Sequence, residues 1–240
     1  MDFQAGDISE KIFNGVLWYL AFLLSITLHE ASHAFTAMRL GDLTAYQGGH
    51  VTLDPVPHIR REPMGTVVVP IISYILGGWM IGWASVPYNP EWALQYPRRA
   101  AIMSVAGPVA NFLLFLLAGI IIRTGVAFDV FVPPESIDFT HVAAAAQPGF
   151  FEPAATFLSI LFSLNLLLLL FNLLPLPPMD GSSVLPLFLS EERARRYLAF
   201  VRRSSFAIFG LIVAWKIFGY VYGPIHLIAI NLLYPGSHYR

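Results

Sequence analysis

The sequence predicts an all-α protein that crosses a membrane several times, with a small strand or hairpin element after the first helix. Three observations carry the prediction. Of the 240 residues, 56% are hydrophobic and only 12% charged, about half the charge of an ordinary soluble domain, so the chain lacks the polar surface a water-soluble fold needs. The apolar residues gather in runs of membrane-spanning length, at 12–28, 66–86, 101–122, 154–174 and 206–233. The 18 glycines and 18 prolines fit membrane helices and their broken segments.

Residues 1–10 are short, polar and interfacial. The first run does not read as a cleaved leader, because Asp2, Asp7 and Glu10 precede it in place of a basic region. It continues as one helix through His29-Glu30-Ala31-Ser32-His33 to Met38, and Gly41 and Asp42 offer a stop. Positions i and i+4 share a helix face, so His29 and His33 can aim two imidazoles at one point with Glu30 beside them. This HExxH spacing suits a zinc ion held by two histidines, with the glutamate as general base. Ionisable groups at the end of an apolar helix are expensive in a bilayer and are functional candidates by default.

Residues 41–54 place Gly, Thr and Val in loose alternation and are expected to form one or two short strands or a hairpin at the membrane face. Residues 55–63 are a turn-rich connection carrying Arg60 and Arg61. The run at 66–86 is interrupted by Pro70 and Gly77-Gly78; it could just span, and it also fits a re-entrant segment. A polar link at 87–99 leads to the third helix, 101–122, where Ala106–Asn111 sets small residues and one amide. Residues 123–153 form an acidic, non-helical region. The fourth helix, 154–174, is broken by Pro175, Pro177 and Pro178, which cannot continue it. Asp180 follows at the start of a short helix expected over 182–189, where the dipole favours negative charge. With no cysteine in the chain, a metal must rely on His, Asp or Glu. Two histidines and one carboxylate, with a fourth position for water, make a catalytic rather than a structural zinc set. Arg193, Arg195, Arg196, Arg202 and Arg203 then mark a basic segment suited to anionic lipid. The last run, 206–233, is expected as a helix or a helix broken around 219–224. No repeat or linker divides the chain, so residues 1–240 read as one domain with a core at about 12–190.

The two halves of the site constrain topology. His29 and His33 lie near the end of the first helix and Asp180 just past the end of the fourth. They share a membrane face only if 66–86 is re-entrant. That face would hold Arg39, Arg60, Arg61, Arg98, Arg99 and the 193–203 arginines, against Lys11 and Arg123 opposite, which makes it cytoplasmic by the positive-inside tendency. The formal net charge of -1 and the lack of a basic patch interleaved with aromatics argue against nucleic acid.

HEASH at 29–33, AGPVAN at 106–111 and NLLPLPPMDG at 172–181 together resemble the site-2 protease family of intramembrane zinc metalloproteases, in its compact branch lacking a PDZ domain. The resemblance covers about residues 12–190. It implies one zinc ion per chain held by His29, His33 and Asp180, with Glu30 activating water. It also implies hydrolysis of a transmembrane protein or peptide within the bilayer of a prokaryotic cell membrane. Asn111 is a candidate for substrate positioning or oxyanion support, Asn172 is a candidate for shaping the same cavity, and strands at 43–54 could pair with an unwound substrate. Plainer readings stand beside these: Asp180 as a helix cap, Asn111 as interhelical hydrogen-bond glue, Gly107 and Pro108 as close packing and a kink. His50 reads as interfacial, and His58, His141, His226 and His238 as ordinary. The alternative function is a non-proteolytic metal-binding membrane protein, either a transporter or an inactive protease-like scaffold.

Overall fold

The structure, a computed structural model, describes residues 5–201, 204–237 and 239. Arg202, Arg203 and His238 lie outside the described residues. Four helices are long and apolar enough to cross a membrane among these residues: α1 (Ala5–Leu40), α6 (Pro97–Ala127), α7 (Glu152–Asn172) and α9 (Ser204–Leu233). Shorter helices connect them: α2 (Thr44–Gln47), α3 (Pro55–Arg61), α4 (Val69–Gly77), α5 (Pro90–Gln95) and α8 (Glu191–Val201). The chain is an all-α, multi-pass membrane protein.

α1, α6 and α7 pack together around Trp18, Phe22, Ile122, Ile160 and Phe162. All three are apolar around most of their circumference, as helices flanked by lipid and protein must be. Prolines begin α3, α5 and α6, where the missing N–H has no intrahelical partner to lose. Asp54 and Asn89 cap α3 and α5 by accepting from Val56 N and Glu91 N.

The segment at 66–86 does not cross. A π-helical turn, Met64–Val68, runs into α4. At 1.5 Å per residue the pair rises about 20 Å, short of roughly 30 Å of hydrocarbon. The chain turns at Gly78 and returns without helix or strand, so that Trp83 N donates to Gly65 O at 3.0 Å. Ser85 Oγ then donates to Glu62 Oε1 at 2.6 Å. Entry and exit are thus tied side by side. Gly65 is required here, because a Cβ on it would stand 2.3 Å from Trp83 O.

Two expectations need correction, and the last run takes the unbroken of its two expected forms. Residues 41–54 form no strand: Asp42 accepts from Thr44 N and Thr44 Oγ1, starting α2, and its second oxygen accepts from Asn89 N. Turn chemistry overrides the loose alternation there. The two-stranded element is instead β1 (Phe131–Val132) paired antiparallel with β2 (Ala144–Ala145), in the connection between α6 and α7. Residues 182–189 make two 3-10 turns, Asp180–Ser183 and Leu185–Phe188, rather than one helix. α9 stays unbroken through Pro224. A broken backbone facing lipid would leave several polar groups unpaired, whereas the proline forfeits one hydrogen bond.

Candidate metal centre

His29 and His33 lie one turn apart near the C-terminal end of α1, and their Nε2 atoms are 3.0 Å from each other. The proline-rich break after α7 brings Asp180 against them, with Oδ2 at 3.1 Å from His29 Nε2 and 3.3 Å from His33 Nε2. These ligand atoms all lie within 4.8 Å of one another, the one such group of three among the described residues. The two histidines are buried and Asp180 is partly so.

The ring protons show what this cluster suits. His33 Nδ1 is 2.7 Å from the Met103 carbonyl. A carbonyl only accepts, so Nδ1 carries a proton, which leaves Nε2 of the neutral imidazole its lone pair. His29 Nδ1 likewise faces Asn111 Oδ1 at 2.6 Å. Asp180 Oδ2 is buried, with only the two imidazoles against it. With both imidazoles neutral, as metal binding requires, three electron-pair donors converge here, an arrangement that a cation would hold together. Ligands about 2.0–2.2 Å from a tetrahedral zinc stand roughly 3.3–3.5 Å apart, close to the separations found. The residues fit the metal.

α6 runs directly against this cluster at Gly107. A Cβ there would lie 2.4 Å from the Nε2 atoms of both histidines, so the glycine leaves room at the ligand atoms themselves. This goes beyond ordinary close packing. Glu30 is buried and lines a cavity of about 290 Å³ with His29, His33 and Asp180. Ser85, Ser104, Asn172 and Ser183 add polar groups to its wall, and Ala84, Ser85 and Val86 reach it from the non-helical return arm of the re-entrant unit. Such a cavity leaves room for water on the side of the cluster that Glu30 borders.

The remaining sequence-predicted groups lie elsewhere. Asn111 is fully buried behind His29, on the Nδ1 side, and its Nδ2 donates to Asn165 Oδ1 at 2.8 Å. Neither end of the amide opens to the cavity. His50 is buried with His58, ring centroids 5.5 Å apart, away from the cluster. His141 is exposed and contacts Asp138, and His226 meets Ser163 Oγ at 3.1 Å. Gly107 was read from sequence only as close packing, and the Met103 carbonyl and the Asn165–Ser25 pair behind Asn111 were not singled out. Small and amide residues inside apolar helices were the only signal they left.

The family model for peptidase family M50 matches residues 17–214. YwhC of Bacillus subtilis, provisionally named a zinc metalloprotease, is 33% identical over 168 residues, covering 69% of this chain and 66% of its own. Rip2 of Mycolicibacterium smegmatis, similarly named, is 30% identical over 193 residues, 80% of this chain and 64% of its own. Rip2 of Mycobacterium tuberculosis strain H37Rv is 33% identical over 200 residues, 82% of this chain and 66% of its own. The chain thus spans about two thirds of the length of these curated relatives. No solved structure matches it.

Proposed function

We propose, from the premise that this chain belongs to peptidase family M50, that it is a zinc-dependent endopeptidase cleaving transmembrane segments of other proteins within the bilayer. The observation that carries this reading is the convergence of His29, His33 and Asp180 beside Glu30, on elements that membrane helices hold together.

His29 Nε2, His33 Nε2 and Asp180 Oδ2 would hold one zinc ion. When bound, zinc lowers the pKa of a coordinated water and polarises a carbonyl oxygen. Glu30 takes the proton of the attacking water and returns it to the departing amide nitrogen. Asn111 accepts from His29 Nδ1 and keeps the ring aimed, which makes it a positioning residue in place of an oxyanion donor. The cavity wall of Ser85, Ser104, Asn172 and Ser183 keeps water at a depth where lipid would exclude it. A helical substrate must unwind before its carbonyl is exposed, and the cavity lies beside the non-helical stretch 84–86, not beside strands at 43–54. The site faces the cytoplasm in this reading.

Reconstitution with membrane-spanning peptides tests the proposal. Wild type should cleave and Glu30→Ala should not; equal cleavage by both would end the reading.

A further inference from the structure

A chain of buried polar side chains runs from the candidate metal ligand His29 into the interior between α1, α6 and α7. Its members are Asn111, Asn165 and Ser25, each fully buried. Asn111 Nδ2 donates to Asn165 Oδ1 at 2.8 Å. Asn165 Nδ2 donates both its protons, to Leu161 O at 2.8 Å and to Ser25 Oγ at 2.9 Å. Ser25 Oγ donates its own proton to Ala21 O at 2.6 Å.

The direction of every bond in this chain follows from its far end. Leu161 O and Ala21 O are backbone carbonyls and can only accept. Ser25 must give its proton to Ala21 and so accepts from Asn165. Asn165 must then turn its NH₂ toward Ser25 and Leu161 and its oxygen toward Asn111. Asn111 must in turn present NH₂ to Asn165 and oxygen to His29. His29 Nδ1 is left to donate, and its Nε2 lone pair points at Asp180 and His33. An amide can ordinarily rotate to exchange its two ends. Here two carbonyls, each in a different helix, forbid it.

We infer that Asn165, supported by Ser25, is a positioning residue that sets the tautomer of His29 from two residues away and so prepares it to bind metal. The inference rests on the zinc peptidase reading for its purpose, but its central observable does not require metal. Polar groups behind a metal-binding histidine tune affinity about 10–100-fold, and in an apolar interior a directed chain has no water to compete with it.

The test compares Asn165→Leu with Asn165→Asp in the purified full-length chain in detergent. Leucine keeps the apolar volume and removes the acceptor for Asn111. A neutral, protonated aspartic acid keeps an oxygen facing Asn111 and donates its O–H to Leu161 O. A packing role predicts that leucine is tolerated better; the positioning role predicts the reverse. Zinc affinity measured by chelator competition should fall about 10–100-fold in Asn165→Leu and less than tenfold in Asn165→Asp. Nitrogen-15 NMR of the metal-free imidazoles should show His29 changing from the Nδ1–H form to a mixture in Asn165→Leu. His33, held by the Met103 carbonyl, should stay Nδ1–H and report that the variant is folded. A His29 tautomer unchanged in Asn165→Leu, or an aspartate variant as impaired as the leucine one, would overturn the inference. A wild-type chain that binds no zinc would instead sink the peptidase reading, and the tautomer comparison would still decide the role of Asn165.

Discussion

Glu30 and Asp180 are carboxylates lining one cavity, yet their neighbours give them different tasks. Asp180 contacts both imidazoles through Oδ2, so its removal strips the cluster of its only anion. Asp180→Asn should lower bound zinc sharply, as measured by metal analysis of purified protein, with unchanged zinc counting against its role as ligand. Glu30→Gln should keep zinc content near wild type while peptide hydrolysis falls by about 10²–10⁴-fold, the usual contribution of a general base. A third prediction concerns a group with no chemistry of its own. Gly107→Ala puts a methyl 2.4 Å from both Nε2 atoms, so helix α6 must retreat or the histidines must turn. Zinc affinity by chelator competition should drop at least about tenfold, the scale of displaced ligand orientation. At this scale the sequence was informative wherever spacing carried the chemistry. His29, Glu30 and His33 are readable because one helical turn separates the two candidate ligands. Asp180 is readable because three prolines force a break where an acid follows. Met103 is invisible because it acts through its backbone, and Asn165 because an amide in an apolar helix looks the same whether it glues helices or orients a ligand.

At the scale of elements, the re-entrant unit shows how short polar contacts replace length. Met64–Gly77 is too short to cross, and its two ends are joined by the Trp83–Gly65 and Ser85–Glu62 hydrogen bonds. The return arm then delivers Ala84, Ser85 and Val86 to the site cavity. Gly65→Val would drive side-chain atoms into Trp83, whose carbonyl and ring both lie under 3 Å from a Cβ at that position. Overpacking of this kind costs about 1–3 kcal/mol, so thermal unfolding in detergent should show a lower midpoint, and an unchanged one would mean the two arms do not touch. The interruption by Pro70 and Gly77-Gly78 was legible from sequence, although it left spanning and re-entrant forms both open. The hairpin was not placed correctly because β1 and β2 have two residues each, too few for any period to show. What holds that connection is tertiary: Ser159 Oγ accepts from Val142 N and Ala143 N, and Tyr234 OH donates to Val142 O.

For the whole molecule, the site itself dictates the path through the bilayer. His29 and His33 near the end of α1 meet Asp180 just beyond the end of α7, so the chain must cross an even number of times between them. α6 and α7 supply two crossings, and the returning 64–86 unit supplies none. Arg39, Arg60, Arg61, Arg98, Arg99, Arg193, Arg195 and Arg196 consequently fall at the end of the molecule nearer the site, while Arg123 lies at the other with Glu135 and Asp138. Basic connections between membrane helices tend to stay in the cytoplasm, and this bias is what the proposed cytoplasm-facing orientation rests on. The chain has no cysteine, so single cysteines can report the arrangement without background. Arg60→Cys and Glu91→Cys flank the re-entrant unit, and Glu135→Cys lies in the connection between α6 and α7; all three positions are exposed. In intact cells a membrane-impermeant maleimide should label only Glu135→Cys, and the other two should react once the membrane is opened. Opposite labelling of Arg60→Cys and Glu91→Cys would mean that 64–86 crosses after all. Such a crossing would separate Asp180 from the histidines by the thickness of the bilayer, so this one experiment bears on the metal centre as directly as on the topology.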